Sequence, residues 1–297
     1  MLKKLHSPIR YLGGKGNMTA KIVPVLNNIP HTRYVEVFGG GASILLAKPP
    51  VSIEVYNDID HHLYDFFTVL SNPRLFAKFY RRVAVMPYSR QLYYHCYDTW
   101  ESETDLMERV VKWYITARQG FGGQLNNRSW SFCVTASGRG MARNNSSWLS
   151  IIKMLPEIHT RLQRVQIECR DFRFILDTYD TPETLFYIDP PYVHSTRDKA
   201  ARYDNEMTDQ DHQDLIDILL QLKGKAVLSG YNQEIYKPLE EAGWEQKDWQ
   251  TACHAAGKTR TSKLQGKGSA LKNAPRMESV WIKPYEKNKN KLKLEIK

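Results

Sequence analysis

The chain has little that would staple or anchor it. Of its 297 residues only four are cysteine (Cys96, Cys133, Cys169 and Cys253), with no Cys-x-x-Cys pair and no histidine at zinc-ligand spacing. This excludes a disulfide framework and a zinc module, and implies free thiols in a reducing compartment without a structural metal. No apolar run reaches the length of a membrane span. Residues 1–8 carry lysines with no apolar core behind them, so no signal peptide is expected. The expected compartment is the cytoplasm of the producing or infected cell.

Acid is also missing, in two long stretches. Residues 109–156 contain no Asp or Glu, yet carry Arg109, Lys112, Arg118, Arg128, Arg139, Arg143 and Lys153 among Trp113, Tyr114, Phe121, Trp130, Phe132 and Trp148. Residues 249–277 repeat the absence, with Lys258, Arg260, Lys263, Lys267, Lys272 and Arg276. Over the whole chain 42 Lys and Arg face 32 Asp and Glu, a net charge of +10. Bulk charge alone does not identify a partner. Basic segments free of acid do suit a duplex backbone, because each cation placed on a phosphate releases a counterion.

What is present reads as alternating strands and helices. Strands are expected at 33–37, 51–56, 165–169, 185–188, 225–229, 244–249 and 278–283. The clearest helix is 208–222, where Thr208 and Asp211 form a capping pair and Leu215, Ile218, Leu219 and Leu222 recur at helical spacing. The alternation predicts an α/β sheet with helices on both faces. It stops between residues 65 and 164. There a helical pattern (Phe76, Phe79, Tyr80, Val83) gives way to a Gly/Asn/Ser-rich part, a composition suited to a binding loop or hairpin. The expected organisation is a catalytic unit of 1–64 plus 165–285, an inserted target-recognition unit of 65–164, and a basic tail of 286–297.

The sharpest local feature is Asp189-Pro190-Pro191-Tyr192, directly after the apolar run 185–188. Pro-Pro stops a buried strand at its carboxyl end, the edge where open α/β sheets bind ligands. A carboxylate, a carbonyl on stiff backbone and an aromatic face are the parts needed to hold a flipped-out adenine. Taken alone, the tetrapeptide also fits a rigid turn. A second feature is the glycine turn Glu36-Val37-Phe38-Gly39-Gly40-Gly41 after the first strand, followed at nineteen positions from Gly39 by Asp58. Such a turn lets a ligand approach the backbone, and an acid at that spacing accepts from ribose hydroxyls. Ile44 stands where the third glycine of the dinucleotide fingerprint would be, which weighs against a dehydrogenase. The third feature, Arg10-Tyr11-Leu12-Gly13-Gly14-Lys15, lacks phosphate-loop spacing; Lys15 can face a carboxylate or phosphate, or simply solvent.

In chain order, Tyr-x-Gly-Gly-Lys, Glu-x-Phe-x-Gly, Asn-Asp-Ile-Asp, an insert, Cys-x-Asp-Phe and Asp-Pro-Pro-Tyr resemble the Dam-type DNA adenine-N6 methyltransferases of the alpha class. Val37 and Ala42 replace a proline and a second glycine of that pattern. The resemblance implies a Rossmann-like methyltransferase sheet with a mainly helical and hairpin DNA-recognition insert, and S-adenosylmethionine as methyl donor. Tyr11 and Lys15 would contact the donor from the N-terminal loop, Glu36 and Phe38 would line its methionine and sulfonium end, and Gly40 would also be cofactor-binding. Asp58 would hold its ribose, and Asp171 and Phe172 its adenine. Asp189, Pro190, Pro191 and Tyr192 would be catalytic, Asp189 lying at the donor as well.

In the insert, Arg118, Asn126, Asn127 and Arg128, with Arg10 beside the cofactor loop, carry groups suited to guanine and adenine edges. Arg139, Arg143, Lys258, Arg260 and Lys263 complete the expected DNA contacts. All of these cations can equally contact phosphates alone. The implied partner is double-stranded DNA, a cognate restriction endonuclease is a candidate companion, no membrane is involved, and a monomer is the default. Asn126-Asn127-Arg128 departs from the family's Arg-Tyr-Asn, so its GATC target is not carried over. Competing readings are an RNA base amino-methyltransferase and a DNA-binding protein that keeps the fold without turnover.

Overall fold

A computed structural model describes residues 5–11, 13–123, 125–126, 128–134, 136, 139–191, 207–252 and 275–285. Its centre is a seven-stranded sheet in the order β3-β2-β1-β4-β5-β7-β6. The strands are β1 Arg33–Glu36, β2 Ile53–Asn57, β3 Val165–Glu168, β4 Thr184–Ile188, β5 Lys225–Gly230, β6 Glu245–Ala252 and β7 Pro275–Ile282. The first five run parallel, and β7 enters antiparallel between β5 and β6. Central β4 is buried at every position, Thr184-Leu185-Phe186-Tyr187-Ile188. A strand covered on both faces needs such a continuous run rather than alternation.

Successive strand residues supply opposite cores. Tyr34, Tyr56, Leu185, Tyr187, Val227 and Val280 face one side. They join α1 (Thr19–Asn28), α2 (Ser43–Ala47), α3 (His61–Ser71), α4 (Pro73–Val83), α6 (Leu106–Gln119) and α7 (Arg143–Leu162). Val35, Val55, Phe186, Ile188, Leu228 and Trp281 face the other. There they meet α8 (Phe172–Thr178), α9 (Asp209–Gln221) and α10 (Lys237–Glu241). The expected helices on both faces are therefore present, and α9 carries the Thr208/Asp211 capping box.

Between β2 and β3 the chain is helical, from α3 through α5 (Arg90–Thr99) to α7. Side chains that suit helix starts begin these helices: Asp60 accepts from the His62 amide, Asn72 from Arg74 and Leu75 ahead of Pro73, Ser89 from Leu92 and Asp105 from Glu108. After α6 the chain closes a short antiparallel pair: the Phe121 amide donates to the Ser129 carbonyl (2.8 Å) and the Ser131 amide to that of Gln119 (2.8 Å). At the far end of α7, Arg161 grips Glu54 of β2 with two bonds (2.6 and 2.7 Å) and donates to the Leu45 carbonyl. Among the described residues no helix is long and apolar enough to cross a membrane.

Candidate active site

The β1–α2 turn is shaped by what its glycines omit. A Cβ on Gly39 would lie 2.1 Å from the Tyr56 ring, whose hydroxyl donates to the Gly40 carbonyl (2.8 Å). Gly40 has φ +47°, with the Tyr11 ring 3.1 Å from where its Cβ would stand. Ala42, at the N-cap of α2, is the one non-glycine with positive φ (53°) among the described residues. It occupies the position at which the resembled pattern has its second glycine, so the backbone keeps a left-handed turn that alanine tolerates less well.

Around this turn lies a cavity of about 400 Å³. Tyr11, Lys15, Glu36, Phe38, Gly40, Asp58, Asp171, Phe172 and Asp189 all line it, as do Pro190 and Pro191. Every candidate donor contact is thus brought to one site. Asp58 accepts from the amides of Gly40 (2.8 Å) and Asp60 (3.0 Å). Burial nonetheless pushes its carboxyl up to about 6. The Phe38 and Phe172 rings meet at 5.7 Å. Arg173 lies over Phe172 and pairs with Asp171, Asp211 and Asp214. Asp171 also caps α8 by accepting from the Arg173 amide (2.8 Å). Glu36, 2% exposed, accepts from the Leu45 amide, and its burial raises its carboxyl well above the ordinary range.

Asp189, just beyond the carboxyl end of β4, is held from two directions. The Lys15 ammonium lies 2.8 Å from its Oδ1, and the Ser229 hydroxyl of β5 donates to the same oxygen at 2.8 Å. Among the described residues, Oδ2 accepts no hydrogen bond. The Tyr187 and Ser229 hydroxyls share a bond of 3.0 Å beneath it. Glu278 of β7 places Oε2 3.7 Å from the Lys15 ammonium. Burial alone would lower the Lys15 pKa; Asp189 and Glu278 outweigh it and hold the ammonium charged well above its ordinary value. Lys15 therefore sits on a carboxylate, rather than on a phosphate or in solvent, the other surroundings open to it from sequence. Neither Ser229 nor Glu278 stands out in the sequence, although Glu278 is the acid that ends the stretch 249–277.

The candidate DNA contacts are placed more variously. Gly123 (φ +72°) sits against the Arg10 carbonyl, 2.5 Å from where its Cβ would be, which joins the N-terminal loop to the insert. Asn126 is exposed and reaches the cavity wall. Arg118 is 8% exposed and donates to the Ser147 hydroxyl (3.2 Å); burial, then the charge of Arg10, lowers its pKa. Arg128 is exposed, bound by both oxygens of Asp98 (2.7 Å each) above the Tyr94 ring. Arg139 donates to the Ser146 and Ser150 hydroxyls, and Arg143 is exposed at the start of α7. Tyr192, Asn127, Lys258, Arg260, Lys263 and the tail 286–297 lie outside the described residues.

A parallel sheet with an antiparallel β7, a glycine turn after β1, an acid after β2 and Asp-Pro-Pro after β4 define a Rossmann-like α/β methyltransferase. A family model described as D12 class N6 adenine-specific DNA methyltransferase matches residues 11–253, and the chain belongs to that family. A comparison with curated proteins gave no match. The chain is an adenine-specific DNA methyltransferase.

Proposed function

We propose that the cavity binds S-adenosylmethionine and that Asp189 and the Pro190 carbonyl receive the amino group of an adenine flipped out of duplex DNA. The carrying observation is the convergence of the glycine turn, Asp58, the Phe38–Phe172 pair and Asp189 on one cavity. The lining fits the donor: a carboxylate suited to a ribose diol, rings suited to an adenine face, and the buried acid Glu36 toward the sulfonium end. Bound there, the donor supplies a methyl group on positive sulfur, so that the C–S electron pair stays with a neutral sulfur as the C–N bond forms.

The protein supplies geometry. An adenine amino nitrogen is a weak nucleophile because its lone pair is delocalised into the ring. Asp189 Oδ2 and the Pro190 carbonyl each accept a hydrogen bond from the amino group, which draws the nitrogen toward tetrahedral geometry and frees the pair; the one proton shed by the methylated nitrogen is taken by Asp189 Oδ2 and passed to solvent. Tyr192 is assigned to stack on the extruded base, a contact typically worth about 1–3 kcal/mol.

Residues 65–164 are assigned to target recognition. Arg118 supports this, since among the described residues no carboxylate faces its buried guanidinium and Arg10 stands close by. A phosphate is the partner such a pair lacks. The enzyme is assigned as a monomer acting in the cytoplasm, with a restriction endonuclease of the same target as a candidate partner.

The test is single-molecule sequencing of methylation-free DNA from cells expressing the chain. Methyl-adenine at one recurrent motif is expected. Unmodified DNA from a soluble, donor-binding protein would replace this reading by RNA methylation or by binding without turnover.

A further inference from the structure

At the wall of the cavity, charged and polar groups from distant parts of the chain meet around Asp189. Lys15 arrives from the N-terminal loop, Ser229 from β5 and Glu278 from β7. Lys15 and Glu278 are only 5% and 9% exposed. An ammonium buried this deeply is held where its partners hold it, because leaving them exposes an unpaired charge to a low-dielectric interior. With one carboxylate alone, the long lysine side chain could pivot around Asp189 and engage either oxygen. A second carboxylate, at 3.7 Å from Nζ, removes that freedom. Lys15 and Ser229 then both occupy Oδ1, and Oδ2 is left to the cavity.

We propose that Glu278 is a positioning residue for methyl transfer: it anchors the Lys15 ammonium, and the ammonium fixes which oxygen of Asp189 is presented to the adenine amino group. This rests on the function proposed above. Glu278 lies beyond residues 11–253, the stretch the family model matches, so the assignment comes from the geometry of this chain. Its consequence is a split between rate and binding. Glu278 acts through two other side chains, so its loss misaligns the acceptor while leaving the glycine turn, Asp58 and the Phe38–Phe172 pair in place around the donor.

The experiment is single-turnover methylation of target DNA at saturating donor. Glu278→Gln is expected to lower the rate constant by about 10²-fold, the scale of a misplacement of about an ångström. Donor affinity should change less than about threefold and the melting midpoint little, far below the rate effect. Glu278→Asp should recover part of the rate. In a Lys15→Met background, Glu278→Gln should have no further effect, because the side chain it acts through is gone. A second readout needs neither donor nor DNA. The slowly exchanging Lys15 ammonium signal in nitrogen NMR, assigned by its loss in Lys15→Met, should disappear in Glu278→Gln.

Parental rate in Glu278→Gln, a rate loss matched by loss of donor affinity, independent effects of the two substitutions, or an unchanged ammonium signal would each overturn the proposal. If the parent protein leaves DNA unmodified in the same assay, the proposed function itself fails, and this role falls with it.

Discussion

Asp58 carries opposing influences at one carboxyl group. Burial favours the protonated form, while the amides of Gly40 and Asp60 favour the anion, and burial prevails, with a pKa of about 6. Because the folded-state value lies above the unfolded one, the folded protein binds the proton more tightly. The stability it contributes is complete at low pH and is lost as pH rises through about 6. Ribose hydroxyls would donate to the anion and offset that loss. The donor-induced rise in melting temperature should therefore be larger at about pH 7.5 than at about pH 5. An equal rise at both would remove Asp58 from donor binding.

At Asp189, replacement by alanine is expected to reduce transfer by at least about 10²–10³-fold while the donor still binds, as calorimetry alongside a methylation assay would show. Near-parental turnover would exclude it from the chemistry. Asp189 and Lys15 were legible in the sequence because each stands in a short contiguous motif. Ser229 and Glu278 were not. A serine near the end of β5 and an acid in the middle of β7 acquire meaning only when β7 enters beside β5 and brings both toward Asp189.

The β1–α2 turn depends on residues with no side chain to spare. Gly39→Ala would drive a methyl group into the Tyr56 ring. Overpacking of this kind typically costs about 1–3 kcal/mol. A lowered urea midpoint together with weakened donor binding is expected, since the same turn carries Gly40 and Phe38. Ala42 tests the turn in the opposite sense. Glycine there should be tolerated to within about 1 kcal/mol, whereas valine, β-branched at positive φ, should lower the midpoint clearly. Strand positions were largely readable, because buried parallel strands need apolar runs bounded by turn residues. The ends were less so. β6 continues to Ala252 and β7 begins at Pro275, beyond the apolar pattern. There the antiparallel ladder between them carries polar residues such as Gln250, paired with Met277. Proline can start β7 because a strand's first residue can do without a ladder donor. Near residue 65, where a division of the chain is expected, α3 runs from His61 to Ser71 and shares its core with the sheet.

That shared core makes the helical block and the sheet mechanically dependent. Glu54 of β2 is 1% exposed, and its two-pronged bond from Arg161 ties the end of α7 to the sheet. Removing one partner of such a pair strands the other charge, at a cost of about 3–5 kcal/mol. Arg161→Met should lower the urea midpoint accordingly, within a single transition seen alike by tryptophan fluorescence and circular dichroism. Two separate transitions would show the block and the sheet to be independent.

The convergence at Asp189 also bears on how the chain is made. Lys15 precedes β1 in the chain, and Glu278 lies in β7, which follows the other six strands. A polypeptide stalled before β7 could already display the glycine turn and Asp-Pro-Pro, yet the Lys15 ammonium on its acceptor carboxylate would lack the Glu278 carboxylate. With Glu278 in the proposed role, competence to mark DNA would arrive only after β7 has been made and has paired with β5.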